Sequence, residues 1–181
     1  MARATLKSLG RKMPSRDEMH EALDHISREG AHTTVILGTA LVEAALQMAL
    51  RVRMYSGMSV ADEASLFDGD GPLATFSAKI RMGFAFEVVN EEMRAELNRL
   101  RDIRNAFAHS KYFLKFETQE VSEACSTLSM PHVETGAPWS VEGDEVIWEP
   151  ADPRDQFLVS IRLCWLFLYQ AVHNPPRWTH S

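Results

Sequence analysis

Cysteine is scarce in this chain. Cys125 and Cys164 are the only two in 181 residues. They are too few and too far apart for a disulfide framework or a zinc site, and the scarcity fits a reducing compartment. None of the seven histidines falls in an HExxH-type spacing, so neither a metal nor a cofactor is expected. An uninterrupted apolar run of spanning length is also missing. The two closest stretches are TTVILGTALVEAALQMAL (33–50) and FLVSIRLCWLFLYQAV (157–172). The first contains Glu43 and Gln47, the second contains Arg162, and both read as core helices rather than membrane spans. The opening MARATLKSLGRKMPSR is basic without an apolar centre, so no secretory signal is read. These absences together point to a cytoplasmic protein.

Charge is unevenly placed. Residues 1–16 hold Arg3, Lys7, Arg11, Lys12 and Arg16 and no acid, while the whole chain has a net charge of −6. The body is therefore acidic, which argues against a broad DNA-binding face, because phosphate neutralisation supplies most non-specific affinity. Residues 1–14 read as a basic arm, 15–174 as a single domain, and 175–181 as a tail. Within 117–155 there are ten acids and one base, Arg154. Pro131, Pro138, Pro150 and Pro153, with Gly136 and Gly143, make 129–153 a long irregular acidic insertion, in which EVIWE could form a short strand. That insertion is equally consistent with a solvated loop and with a lid or partner surface.

The remainder reads as helix. Ser15 with Glu18 makes a capping box for the first helix, and Gly30 is the expected stop. A second, nearly all-apolar helix spans about 32–55, with Gly57 beyond its end. A short turn of helix is expected at 60–66. Pro72 is placed in the first turn of a helix over 73–89, with Asp70 or Gly71 as its cap. DGDG (68–71) lacks the further acidic ligands of a calcium loop. Asn90 caps a helix over 90–109, with Glu91 and Glu92 on its dipole. KYFLKFE (111–117) alternates weakly and is expected to be extended. Residues 118–128 and 153–173 complete the helices. The expected fold is all-α: an antiparallel bundle of four to five main helices carrying the acidic insertion near its C-terminus.

The helix over 93–109 carries the residues with chemistry. Met93, Leu97, Leu100, Ile103 and Phe107 define its buried face. Arg104 falls about 40 degrees from Leu100, on the apolar side, whereas Asn105 and His109 fall near 140 and 180 degrees. Arg101, Asn105 and His109 form an i, i+4, i+8 stripe. An inward Arg104 needs an anion, and Glu43 is the one charged residue between Thr33 and Leu50. A Glu43–Arg104 pair is therefore expected. The competing arrangement leaves Glu43 to solvent or a dimer interface and lets Arg104 snorkel. His109, at the helix end, is either a dipole partner capping carbonyls or a titratable group free to react.

Two resemblances overlap on these residues. LFDGDGPLATFSAKIRMGFAFEVVNEEMRAELNRLRDIRNAFAHS (66–110) resembles the core of the mannitol operon repressor family, and the similarity extends back through TTVILGTALVEAAL (33–46) to cover about residues 15–115. Members are all-helical, cytoplasmic bacterial proteins named as regulators of mannitol uptake genes. They lack a helix-turn-helix, so the resemblance implies a transcriptional regulator or corepressor acting through a protein partner, without direct specific DNA binding. Arg104-Asn105-x-x-x-His109 is in turn similar to the short R-polar-x(3)-H signature of the HEPN superfamily of helical bundles. Many of its members are metal-independent ribonucleases with sites formed across a homodimer, and others are inactive binding domains.

The second resemblance implies an alternative: an endoribonuclease of toxin or defence type with RNA as substrate. His109 would act as base or acid, Arg104 would hold the phosphate oxygens, and Asn105 would orient one of them. Glu43 and Arg101 would then be supporting residues. A dimer would also bring Arg104 and His109 together, which a single straight helix does not.

Overall fold

The computed structural model describes residues 13–54, 56–130 and 152–173, and among them it is all-helical, with no strand. The chain order is α1 (Arg16–Ser27), α2 (Ala31–Arg51), α3 (Val60–Phe67), α4 (Phe76–Ala85), α5 (Glu91–His109), α6 (Gln119–Ser126) and α7 (Pro153–His173). Residues 1–12 of the expected arm, the tail over 175–181, the strand EVIWE and nearly all of the acidic insertion lie outside the described residues, while Met13 packs partly buried against the core.

The capping box at α1 forms as the sequence predicts. Ser15 N–H donates to Glu18 at 2.7 Å, and Glu18 N–H donates to Ser15 Oγ at 3.2 Å. The expected stop at Gly30 is displaced: α1 ends at Ser27, and Gly30 serves instead as the N-cap of α2. Thr34 Oγ1 donates to the Ile26 carbonyl at 3.0 Å and fixes this corner. Arg154, from the start of α7, donates to the Ser27 and Glu29 carbonyls. One guanidinium thus satisfies orphan carbonyls at the end of α1.

Helix α2 is central. It packs on α7, α4, α5 and α1 and buries Val35, Val42, Leu46 and Ala49. Gly38 lets it approach α7 closely, since a Cβ there would sit 3.4 Å from both Ile161 and Phe157. By length and composition α2 could cross a membrane, but 56% of its most apolar window is buried in the fold. It ends at Arg51, well before the expected limit near 55. Arg51 turns back to form an ion pair with Glu63 of α3.

The DGDG stretch is a tight turn. Gly69 has φ +58°, and a Cβ on Gly71 would lie 2.5 Å from the Leu66 carbonyl oxygen. Leu73 N–H donates to that same oxygen at 2.8 Å, so the chain folds back before α4 can begin. This corrects the expected helix over 73–89. Pro72 belongs to the turn, and Thr75, not Asp70 or Gly71, caps α4 by accepting from Ala78 N–H. At the far end Val88 and Val89 N–H groups fold back onto the Gly83 carbonyl, with Glu87 at φ 54°. Asn90 then caps α5 as predicted, accepting from Met93 N–H at 2.9 Å. Residues 111–117, expected to be extended, form no strand and are a link of bends and turns. Phe116 inserts from that link between Phe107 and Phe157, with ring centroids 6.2 and 5.8 Å away.

Candidate functional site: the end of α5 and the groove beside it

Helix α5 stays regular through His109, and Ser110 N–H closes it on the Ala106 carbonyl at 2.9 Å. Its apolar stripe buries Met93, Leu97, Leu100, Ile103 and Phe107, as the periodicity requires.

The Glu43–Arg104 pair does not form. Glu43 instead receives a bond from Lys79 of α4 at 2.6 Å, with side-chain exposures of 19% and 6% respectively. Both α4 and α5 lie against α2, but α4 turns Lys79 inward, beside Phe76 and Ile80. Arg104 stays only half-buried on the shoulder of α5 and donates to Asn105 Oδ1 at 3.0 Å. Arg104 and Asn105 therefore meet, although the wheel sets them about 100 degrees apart. Arg101 donates to Asp102 Oδ1 through Nε and Nη2, at 3.2 and 2.8 Å. Among the described residues no carboxylate pairs with Arg104. His109 is exposed and its ring holds no hydrogen bond to a described residue, so it is not a carbonyl cap. Along a regular helix Arg104 and His109 stay about 7.5 Å apart in rise and about 140 degrees apart in direction.

Two groups escaped the sequence reading. Lys79 stands in phase with Phe76, Ile80 and Gly83, and that register was the available signal. Glu96 is fully buried and lies in phase with Met93, Leu97 and Leu100. Its carboxylate accepts from Ser129 N–H and Oγ at 2.9 and 3.0 Å, from Met130 N–H at 3.3 Å and from Ser160 Oγ at 2.6 Å. Arg99 adds an ion pair at 3.0 Å. Glu96 therefore ties α5 to α7 and to the segment following α6. A buried anion is tolerable because its lone pairs are filled.

A groove of about 690 Å³ opens between α5 and α6. Ile103, Ala106, Leu114, Val121 and Ala124 give it apolar walls, and Arg99, Asp102, Glu120 and Tyr112 stand along its edges. Tyr112 and its neighbour Phe113 are 85% and 82% exposed. Among the described residues no three His, Cys, Asp or Glu side chains converge to hold a metal ion.

No family model, curated protein or solved structure matches the chain. The described residues themselves define a helical protein with an open apolar groove and a small polar cluster at one helix end.

Proposed function

We propose that the chain is a transcriptional regulator or corepressor resembling the mannitol operon repressor, working in the bacterial cytoplasm as a homodimer through protein contacts. In this reading residues 15–174 form one antiparallel bundle of four to five main helices, and the acidic stretch 129–153 is an insertion on it. One observation carries the reading: the α5–α6 groove is concave and mostly apolar, and two almost fully exposed aromatic side chains stand at its rim. Exposed apolar surface rimmed by polar groups is characteristic of protein docking sites, and aromatic anchors dominate their energetics. The net charge of −6 supports contacts with protein over contacts with operator DNA. A gel shift at physiological salt with the DNA upstream of the chain's own gene tests this. No discrete complex is expected below about 1 µM; a discrete nanomolar complex would contradict the reading.

A metal-independent endoribonuclease is the second reading, favoured by one specific observation. Arg104 has no carboxylate partner among the described residues, and His109 has no described partner at all, so neither is already committed to holding the fold. His109 could move the 2′-hydroxyl proton while Arg104 and Asn105 hold the phosphate. Their divergence on one helix requires a second chain to complete the site. RNA degradation by the wild type and by His109→Ala tests it: the variant must lose activity. Equal activity in both, or none in either, removes the reading.

A further inference from the structure

We propose that the occupant of the α5–α6 groove is a second copy of this chain, seated by a two-fold exchange of Phe113. The inference rests on the protein-contact reading in one respect, that the groove is a docking surface, and then names what docks.

A two-fold interface needs one surface patch that complements itself. The surface beside α5 has both halves of such a patch side by side. The projecting half is the 111–115 link, where Tyr112 and Phe113 stand out from the fold between exposed Lys111 and Lys115. Ser110 braces this link by accepting from Tyr112 N–H at 3.0 Å and donating to the Tyr112 carbonyl at 3.0 Å. The receiving half is the groove, whose volume suits an aromatic ring and its flanking side chains. Phe113 borders the groove of its own chain without lining it. Exchange between two copies satisfies each ring with the other's groove.

The charges match in the same sense. From Ile103 to Phe116 there are three bases, Arg104, Lys111 and Lys115, and no acid, while Glu117, Glu120 and Glu123 follow with no base before Met130. All three glutamates are exposed, and Glu120 lines the groove. The groove's other charged groups are already matched: Arg99 with Glu96 at 3.0 Å, and Asp102 with Arg101 at 2.8 Å. A basic projection beside a groove edged by Glu120, with Glu117 and Glu123 exposed on the same stretch of chain, is complementary to its own two-fold copy. A nucleic acid strand would be repelled by these glutamates, and a wholly basic peptide by the lysines.

Sedimentation equilibrium of the full chain provides the test. The wild type is expected to be a dimer, and Phe113→Asp a monomer with an unchanged helical signal, since Phe113 makes no core contact. Lys111→Glu/Lys115→Glu and Glu120→Lys/Glu123→Lys should each weaken the dimer by roughly tenfold or more. An equimolar mixture of these two variants should recover wild-type association, because in the mixed dimer every glutamate again faces a lysine. A damaged fold could not be rescued by mixing. A monomeric wild type, a dimer indifferent to Phe113→Asp, or no recovery on mixing would each overturn the inference. A monomer that still gives no complex with DNA would remove the homodimer but leave a regulator acting through contacts with another protein, whereas specific DNA binding would remove that reading and leave the dimer untouched.

Discussion

Glu43 and Lys79 show how a single residue pair can fix the placement of two helices. The pair is nearly buried, so removing either partner alone strands a charge between α2 and α4. Glu43→Gln and Lys79→Met are each expected to lower stability by about 3 kcal/mol, and the double replacement by clearly less than the sum. Urea unfolding of the four proteins in the cycle reads this directly; additive losses would show that the pair is not coupled. Glu96 is the second such residue. Glu96→Gln puts amide hydrogens against the donors of Ser129, Met130 or Ser160 and should cost about 1–3 kcal/mol in the same assay. The two thiols supply a pH-dependent term. Burial pushes Cys125 up from 9.0 to about 12. Burial, and then the Glu96 carboxylate, push Cys164 well above its usual range against a weaker opposing bond from Ser160. The folded chain keeps both protonated where the unfolded chain ionises. Their stabilisation is thus full below pH 9 and is lost as pH rises toward 12, with a slope of about 1.4 kcal/mol per pH unit per thiol. Cys125→Ala should flatten that alkaline slope, and neither native thiol should react with a disulfide reagent at pH 8.

Helix boundaries follow local chemistry closely where a cap is present and poorly where a turn intervenes. Asn90 caps α5 through a single bond to Met93 N–H, so Asn90→Ala should lower the melting temperature by an amount corresponding to about 1 kcal/mol, and Asn90→Asp should not. Ser15, Asn90 and the α7 limits were legible because their signals are contiguous in sequence. The start of α4 was not, because Pro72 fits a first helical turn as well as a tight turn. Only the return of Leu73 N–H to the Leu66 carbonyl decides between them. The candidate site divides the same way. The angular positions of Ile103 and Phe107 follow from spacing alone. The partners of Glu43 and Arg104 depend on which side chains the neighbouring helices turn toward one another, and no periodicity within one helix contains that information. The groove is likewise a product of two helices and a link distant from α5's own pattern.

At the scale of the whole molecule, the fold separates what stabilises it from what is free to act. The charged groups inside are matched, Glu43 by Lys79 and Glu96 by Arg99 and four hydrogen bonds. Where α5 ends, His109 has no hydrogen bond to a described residue, and the exposed Tyr112 and Phe113 stand beside the groove. The central claim is that this groove holds a second copy of the chain. Ala106 lies exposed on the groove wall, so Ala106→Trp fills the cavity without entering the core. Sedimentation equilibrium of this variant beside the wild type, with circular dichroism as the fold control, is the most direct measurement. The account predicts a dimeric wild type and a monomeric Ala106→Trp with the same helical signal. An equal mass for both proteins would contradict it.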